Sequence, residues 1–514
     1  MRTLFRHDAW FLATSIITAF LTRFLALFVG RPEFVGWFNH SPYYWVQSKA
    51  LIEQGELAYG DMPLLFALYA GLAKLISLFG MPQDSAIIMM SRLVMVTTPA
   101  LIPIAVYLLA KQTSADRPLG WPGRCLVLAS GFLPLTFANM PEHLQKNMLG
   151  LLLLAFLLLT IFYWLRSRSY GSVLLGLSLL ISIGLTHLGS ALAALLLLVA
   201  LAMEITLRRS SLKELGLIGL LCMLAVIGVG FAIHVFDPES TERVLFLLTN
   251  LIPDSSVELL VGVLVVSIWL GVVWFAQRWF TRRSKQNQRA VVALGRIIIV
   301  WIGLLAFPLW PGEIGMRLIL FIPLAAVVLL VLFAHSSEAS KLLRFIVAAT
   351  TLVFVVMSIG EATSLLMSYP NKAQTSSELA AVNQKYQLSR DDLVITTYGA
   401  APIANWFLGT RATLLTAVED DVFERYDRVF VLNTLERPAP TLEPEECRRI
   451  QSSNDRYWAT RHDTPMSEIA NPDPDFERFD FFRLPALPEN WVFDRSGLWA
   501  GWGDCTERDG DHRQ

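Results

Sequence analysis

The sequence predicts a polytopic α-helical membrane protein followed by a small α/β domain. Of its 514 residues, 54% are hydrophobic and 17% are charged, whereas soluble globular proteins average about 25% charged residues. Apolar runs near the ~20 residues needed to cross a hydrocarbon core recur along most of the chain. The remainder changes in both charge and composition, which indicates a region with different surroundings.

Twelve apolar runs are candidate membrane spans: 9–29, 62–79, 86–110, 125–138, 147–165, 173–187, 190–207, 215–235, 258–277, 291–309, 318–334 and 345–360. The first is long and has no small-residue cleavage site, so it is expected to be retained as a span. If the run 62–79 lies in the outer interface, every later basic loop becomes cytoplasmic, as the positive-inside rule favours. We therefore predict about eleven spans, a cytoplasmic N-terminus and an extracytoplasmic tail, with 125–138 as the weakest span.

The tail differs from the membrane part in charge. Residues 361–514 carry 16 Lys and Arg against 26 Asp and Glu, a net charge of −10, while residues 1–360 carry +9. The tail is also rich in aromatic residues, so it is expected to fold, with helices at 376–386 and 401–408 and strands near 391–399, 413–415, 428–432 and 479–484. We predict a transmembrane domain over 1–360 and an extracytoplasmic α/β domain over 361–514.

The cysteines give limited information about the compartment. Cys125 and Cys222 lie in apolar runs, where they are expected to serve as packing residues. Cys447 and Cys505 both lie in the tail, and they could form a disulfide if the tail faces an oxidising compartment.

Polar and aromatic residues collect on the predicted outer face. The first external loop contains Trp37-Phe38-Asn39-His40-Ser41-Pro42-Tyr43-Tyr44 and later Asp61-Met62-Pro63. Other residues placed on this face are Glu142, His143, Lys146, His187, His234, Glu313 and Arg317. Such chemistry beside a membrane surface points to an enzyme that acts on a lipid-borne substrate, since an anchor has no use for it.

This arrangement resembles the GT-C superfamily of membrane glycosyltransferases, which includes protein O-mannosyltransferases, lipid A aminoarabinose transferases and oligosaccharyltransferase catalytic subunits. The resemblance places two juxtamembrane helices at 42–54 and 62–79. The segment Tyr43-Tyr44-x5-Ala50-Leu51-x3-Gly55 is similar to an aromatic and Ala-Leu-Gly run of the family, and Arg92 matches a frequent arginine of the next span. It covers roughly residues 1–210 as architecture and the remainder more loosely.

The chain departs from the family at the end of the first span. The family usually has an Asp or Glu there, whereas this chain reads Asn39-His40-Ser41. Three alternatives follow: His40 acts as the base, Asp61 or Glu142 supplies the carboxylate, or the family's chemistry is lost or altered.

The resemblance implies an inverting transfer of a sugar from a polyprenyl phosphate or diphosphate to a glycan, lipid or protein acceptor at the extracytoplasmic face. A carboxylate or histidine takes the acceptor proton, and arginine stabilises the lipid phosphate. The candidate catalytic residues are Glu142, His40 and Asp61. The candidate substrate-binding residues are Arg317, Arg92, His143, Lys146, His187, Tyr43 and Tyr44. No metal motif is present in the sequence, although the resemblance leaves room for Mg²⁺ or Mn²⁺ as a cofactor.

Ordinary structural roles compete with each assignment. Glu142 could simply pair with Lys146 in its loop, Arg317 could snorkel to the interface, and His187 could be a hydrogen-bonded turn residue. Two other functions also stay open: a non-catalytic GT-C-like subunit of an envelope glycan pathway, and a transporter of a lipid-linked glycan. We expect a bacterial inner membrane as the location and no nucleic acid as a partner.

Overall fold

A computed structural model describes residues 2–25, 28, 41–114, 119–133, 145–207, 223, 270–278, 289–308, 310, 312–336, 341–368, 373–396, 401–414, 422–434 and 479–484. The chain divides into two units. One contains Met1–Gly30 and Gln47–Met367, and the other contains Arg31–Val46 and Ser368–Gln514. The boundary after residue 360 that the sequence suggested stays a prediction.

Helices make up the larger unit wherever the structure describes it, although the second of them begins, over residues 41–46, in the smaller unit. The helices up to residue 207 are α1 (Arg2–Phe24), α2 (Ser41–Glu53), α3 (Leu64–Ser77), α4 (Gln83–Ala100), α5 (Ile102–Thr113), α6 (Trp121–Ser130), α7 (Gln145–Ser167), α8 (Tyr170–Gly184) and α9 (Leu188–Leu207). The later ones are α10 (Arg289–Leu305), α11 (Gly312–Ile319), α12 (Ile322–Ser336) and α13 (Lys341–Ser368).

Proline and glycine set several of these boundaries. Pro63 precedes α3 and Pro82 precedes α4, positions where a fixed φ and a missing N–H carry no cost. Gly55, two residues after the end of α2, has φ +81°, a conformation that favours glycine. Helices are therefore present at both segments that the sequence predicts to be juxtamembrane, as α2 and α3, and each begins and ends within two residues of the expected bounds.

Four helical segments among the described residues are long and apolar enough to cross a membrane: Gln83–Thr113, Gln145–Ser167, Leu188–Leu207 and Arg317–Ala334. The chain is thus a polytopic membrane protein, as predicted. Helix α3 has 14 residues and is about 21 Å long, which is shorter than a hydrocarbon core. The prediction of eleven spans stays a prediction, since several of the twelve runs lie wholly or partly outside the described residues.

One continuous core joins the middle helices of this unit. Buried leucine, isoleucine and valine side chains of α5, α7, α9, α10 and α12 pack in a single cluster. Trp301 at its centre is fully buried, and its indole Nε1 donates to the carbonyl of Ala193 at 2.9 Å. This bond satisfies a buried donor and ties α10 to α9, because a buried indole N–H without a partner would be costly.

The two ends of α7 carry different chemistry. At its C-terminal end Arg166 Nη1 donates to Gln112 Oε1 at 2.5 Å, which joins two loops that the sequence predicts to be cytoplasmic. Its N-terminal end begins with Gln145-Lys146-Asn147. A helix of 23 residues separates these ends by about 34 Å, so they lie on opposite sides of the bundle.

The smaller unit contains a four-stranded sheet with short helices. Its elements are α14 (Ala373–Tyr386), β1 (Asp392–Thr396), α15 (Ala401–Leu408), β2 (Arg411–Leu414), α16 (Val422–Arg425), β3 (Arg428–Thr434) and β4 (Phe479–Leu484). The strand order is β2-β1-β3-β4, with β1 parallel to β2 and β3, and β4 antiparallel to β3. The helices and strands expected from the tail sequence are present, while its extracytoplasmic position stays a prediction.

A buried ion pair fixes the register of β1 against β3. Asp392 is fully buried and opposes Arg428, whose Nε and Nη2 each donate to its carboxylate at 2.7 Å. The backbone N–H of Ser389 also donates to Asp392 at 2.7 Å. Burial alone would raise the pKa of Asp392, but these hydrogen bonds and the Arg428 charge outweigh it and lower the pKa below the ordinary 3.8.

Asp392→Asn is expected to destabilise the sheet at neutral pH. Because the folded-state pKa is depressed, the carboxylate contributes fully to the free energy of unfolding above its ordinary pKa. That contribution is lost as pH falls through the folded-state pKa. The difference between wild type and variant should therefore shrink below about pH 4. This difference in sheet stability is measured by hydrogen exchange of the β1 amides in the full chain, corrected for intrinsic exchange. Asp391→Asn, at the exposed neighbouring carboxylate, should show no such difference; equal effects of the two variants would contradict the prediction.

Candidate functional site

The entry to α3 lies against the turn between α8 and α9. The backbone N–H of Leu64 donates to the carbonyl of Leu185 at 3.0 Å. This bond uses one of the free N–H groups at the start of α3. Asp61, just before that start, is 8% exposed, and its Oδ1 accepts from the backbone N–H of Met62 at 2.7 Å. The carboxylate is therefore held in place beside the turn.

The first turn of α7 is joined to the same place by two side chains. Lys146 forms an ion pair with Asp61 Oδ2, and its ammonium lies 5.7 Å from the ring centre of Phe66. The Oε1 atom of Gln145 accepts from the hydroxyl of Tyr69 at 2.9 Å, in a buried contact. A positive charge in a first turn opposes the helix dipole, and Asp61 supplies the compensating negative charge from elsewhere in the chain.

His187 occupies the turn itself and meets an arginine from far along the sequence. Its ring is 8% exposed, and Nε2 lies 3.5 Å from Nη1 of Arg317 on α11. A Cβ added at Gly189 would lie 2.9 Å from Cε1 of His187. Glycine at this position therefore leaves room for the imidazole, since contacts this short do not occur.

Burial and the positive charges around it keep His187 neutral. Burial, together with the positive charges of Lys146 and Arg317, holds the pKa of His187 well below its ordinary value of 6.5. Arg317 is itself exposed. The cluster of Asp61, Lys146, His187 and Arg317, called here the cationic cluster, thus carries one negative and two positive charges and has a net charge of +1 at neutral pH.

This geometry suits an anion that approaches Arg317 and Lys146. An arginine fork beside a low-dielectric interior is the protein group best matched to a phosphate. The described part of the chain contains no group of three or more His, Cys, Asp or Glu side chains that could hold a metal ion. Asp61 already pairs with the ammonium of Lys146, so the described residues do not fit Mg²⁺ or Mn²⁺.

The structure brings together four of the residues singled out from the sequence, those of the cationic cluster. His40, Glu142 and His143 lie outside the described residues, as does His234. Arg92 is half-buried on α4, while Tyr43 and Tyr44 lie on α2 in the segment assigned to the smaller unit, with ring centres 5.5 Å apart. The roles proposed for all these residues stay predictions.

Lys146 has a partner far away in the sequence. The sequence suggested that Glu142 could be its ordinary partner; Glu142 lies outside the described residues, so that pairing stays a prediction. The structure pairs Lys146 with Asp61, 85 residues away in the sequence. The tertiary partner is a carboxylate already fixed at the start of α3, so pairing with it orders fewer groups than pairing within a loop.

Sequence reasoning did not single out Gln145, Asn147 and Ser190. Gln145 and Asn147 are each 1% exposed, and Ser190 is fully buried. The available signal was position, since each is a polar residue at the start of an otherwise apolar helix.

Comparisons with known proteins identify a structural likeness to solved membrane-protein structures. No protein-family model and no curated protein matches the chain. Two solved structures of ArnT from Cupriavidus metallidurans are similar to it at 13% identity. For the ArnT complex with undecaprenyl phosphate the TM-score is 0.47, and the match covers 92% of this chain and 98% of the ArnT chain. For apo ArnT the TM-score is 0.49, and the match covers 84% of this chain and 94% of the ArnT chain.

At 13% identity and TM-scores below 0.5, this likeness carries no argument about the activity of the chain or about the role of any of its residues.

Proposed function

We propose that the chain is an integral membrane glycosyltransferase that moves a sugar from a polyprenyl phosphate carrier to an acceptor at the extracytoplasmic face. The observation that supports this best is the cationic cluster. Two cations 171 residues apart in sequence meet a buried neutral histidine at one end of a bundle of apolar helices. That end coincides with the predicted outer face, where the headgroup of a lipid carrier would lie.

Each residue of the cluster has a role in this proposal. Arg317 and Lys146 bind the carrier phosphate and stabilise the negative charge that grows on it as the sugar leaves. His187 stays neutral and adds no third positive charge. Asp61 holds Lys146 in position; with an ammonium on one oxygen and a backbone N–H on the other, it is a weak candidate for the base.

The acceptor must lose a proton during transfer, and another group has to take it. Glu142, three residues before the start of α7, is the proposed base because a carboxylate there follows the pattern of the resembling family. His40 is the alternative base. An inverting displacement is proposed, in which the acceptor oxygen or nitrogen forms the new glycosidic bond, the carrier phosphate leaves with the bonding electrons, and the base takes the acceptor proton.

A comparison of envelope glycolipids and glycoproteins by mass spectrometry tests the function. A deletion strain is complemented with wild type or with Glu142→Gln at equal protein levels. We expect a sugar-bearing species to disappear on deletion and to return only with wild type. If deletion removes no such species, the transferase proposal fails; if Glu142→Gln restores the species, Glu142 is not the base, and His40, Asp61 or a non-enzymatic role takes its place.

A second candidate function is a non-catalytic subunit with the same fold. The lack of a carboxylate at Asn39-His40-Ser41 is the observation that favours it. In that case the species would depend on the presence of the chain, and both Glu142→Gln and Arg317→Ala would restore it.

A further inference from the structure

The first turns of α7 and α9 lie side by side in the larger unit. Helix α8 connects them through short turns and packs on both, so α7 and α9 run in the same direction. A Cβ added at Gly150 would lie 2.0 Å from Ser190 Oγ and 2.7 Å from Ser190 Cβ. Gly150 therefore lets the helices approach closely. Asn147 is one turn before Gly150, and His187 is one turn before Ser190, so the two residues occupy matching levels.

Three buried polar atoms at this place have no hydrogen-bond partner among the described residues. They are Oδ1 of Asn147, Nδ1 of His187 and Oγ of Ser190. Their residues are 1%, 8% and 0% exposed, respectively. An unsatisfied buried polar group is destabilising, and such groups are rare in native proteins. Three at one level of one helix pair indicate that something polar completes them.

The chemistry of the three atoms defines what that group is. Arg317 can only donate, so Nε2 of His187 faces it as an acceptor, and the neutral imidazole carries its proton on Nδ1. Nδ1–H is then a donor, Asn147 Oδ1 is an acceptor, and the Ser190 hydroxyl can do either. A hydroxyl group matches this set because it accepts one hydrogen bond and donates another.

A phosphate matches the set poorly. Its oxygens are acceptors, so they would leave Oδ1 of Asn147 without a donor and would repel it. The cationic cluster begins one residue away at Lys146, where an anion has two positive charges to meet. The two neighbouring sites thus differ in the chemistry that they select.

We propose that Asn147, His187 and Ser190 form a hydroxyl-binding subsite, which shares His187 with the cationic cluster, and that it receives a hydroxyl of the sugar on the lipid-linked donor. The sugar source rests on the proposed function. An enclosed water molecule has the same hydrogen-bonding chemistry and is the alternative source of the hydroxyl. The subsite would distinguish a carrier that bears a sugar from the bare carrier left after transfer.

Thermal unfolding of the full chain without ligand gives the first part of the test. Ser190→Ala removes only the oxygen, and Asn147→Leu replaces the amide by an apolar group of similar size. Ser130→Ala is the matched control, since Ser130 is also 1% exposed but its hydroxyl donates to the carbonyl of Val127 at 2.7 Å. If the subsite awaits a substrate, Ser190→Ala should be at least as stable as wild type and more stable than Ser130→Ala.

Binding to the purified full chain gives the second part. The probes are undecaprenyl phosphate and undecaprenyl phosphate that bears mannose, glucose or aminoarabinose. For a probe whose sugar is recognised by wild type, Ser190→Ala and Asn147→Leu should each weaken binding roughly 3- to 10-fold, because each removes about one hydrogen bond. Their affinity for bare undecaprenyl phosphate should not change.

The outcomes separate as follows. Unchanged or higher stability with a selective loss of affinity for the sugar-bearing probe supports the sugar hydroxyl. Lower stability than Ser130→Ala with unchanged affinities supports an enclosed water. Unchanged or higher stability with unchanged affinities overturns the subsite, and so does an equal loss of affinity for the bare carrier. If wild type binds no probe, the proposed function fails and stability alone decides between the water and no subsite.

Discussion

Arg317→Ala is expected to lower sugar transfer about 100- to 1000-fold, the effect of removing one group that stabilises transition-state charge. Arg317 is exposed and lies 3.5 Å from a buried neutral histidine. Its guanidinium therefore lies against the histidine while the residue itself reaches the protein surface, where a carrier phosphate would approach. The measurement is the rate of formation of the sugar-bearing product in membranes with equal amounts of wild type and variant.

Two further variants make this result specific. Arg317→Lys keeps the charge but loses the planar fork, so it should retain part of the activity. Arg168→Ala removes an arginine at the opposite end of α7, where the guanidinium carbon lies 4.1 Å from the ring centre of Trp164, and activity should stay near that of wild type. If Arg317→Ala and Arg168→Ala behave alike, Arg317 does not face the carrier phosphate.

Breaking the pair between Asp61 and Lys146 is expected to give the largest loss of stability. Their side chains are 11% and 14% exposed, so the pair is largely buried. Breaking a buried ion pair by removing one partner costs about 3–5 kcal/mol. Asp61→Asn and Lys146→Met should each lower the midpoint of thermal unfolding, and the double variant should be more stable than the sum of the two effects implies.

The pair between Lys49 and Asp84 provides the matched control. Its ammonium and carboxylate lie 3.0 Å apart, but the side chains are 31% and 53% exposed. Exposed pairs contribute about 0–1 kcal/mol, so Lys49→Met and Asp84→Asn should change stability little and should be additive. Additive losses at Asp61 and Lys146 would show that the two charges do not interact in the folded protein.

The cluster was partly accessible to sequence reasoning. Asp61, Lys146, His187 and Arg317 stand out because each is an ionisable residue beside an apolar run, where a charge is costly and needs a reason. The positive-inside rule then placed all four on one face. Neither argument could choose partners, and the nearest carboxylate in sequence, Glu142, was the natural expectation for Lys146.

Asn147 and Ser190 could not be identified as site residues from the sequence. A single asparagine or serine in the first turn of a helix is ordinary, because such residues serve as helix caps and turn residues. Their importance depends on whether a partner exists in space. Only the close approach of α7 and α9 at Gly150 buries them together and leaves their oxygens without partners among the described residues.

The sequence by itself determined the class of the protein, the helical membrane part, the helices α2 and α3, and the strands of the tail. These features are local: apolar run length, helix-breaking prolines and alternating strand patterns act over a few residues to a few turns. The tertiary structure decided the pairing of Asp61 with Lys146, the contact of His187 with Arg317, and the order of the strands. Those depend on contacts between residues far apart in the chain, which burial and charge select only once the helices have packed.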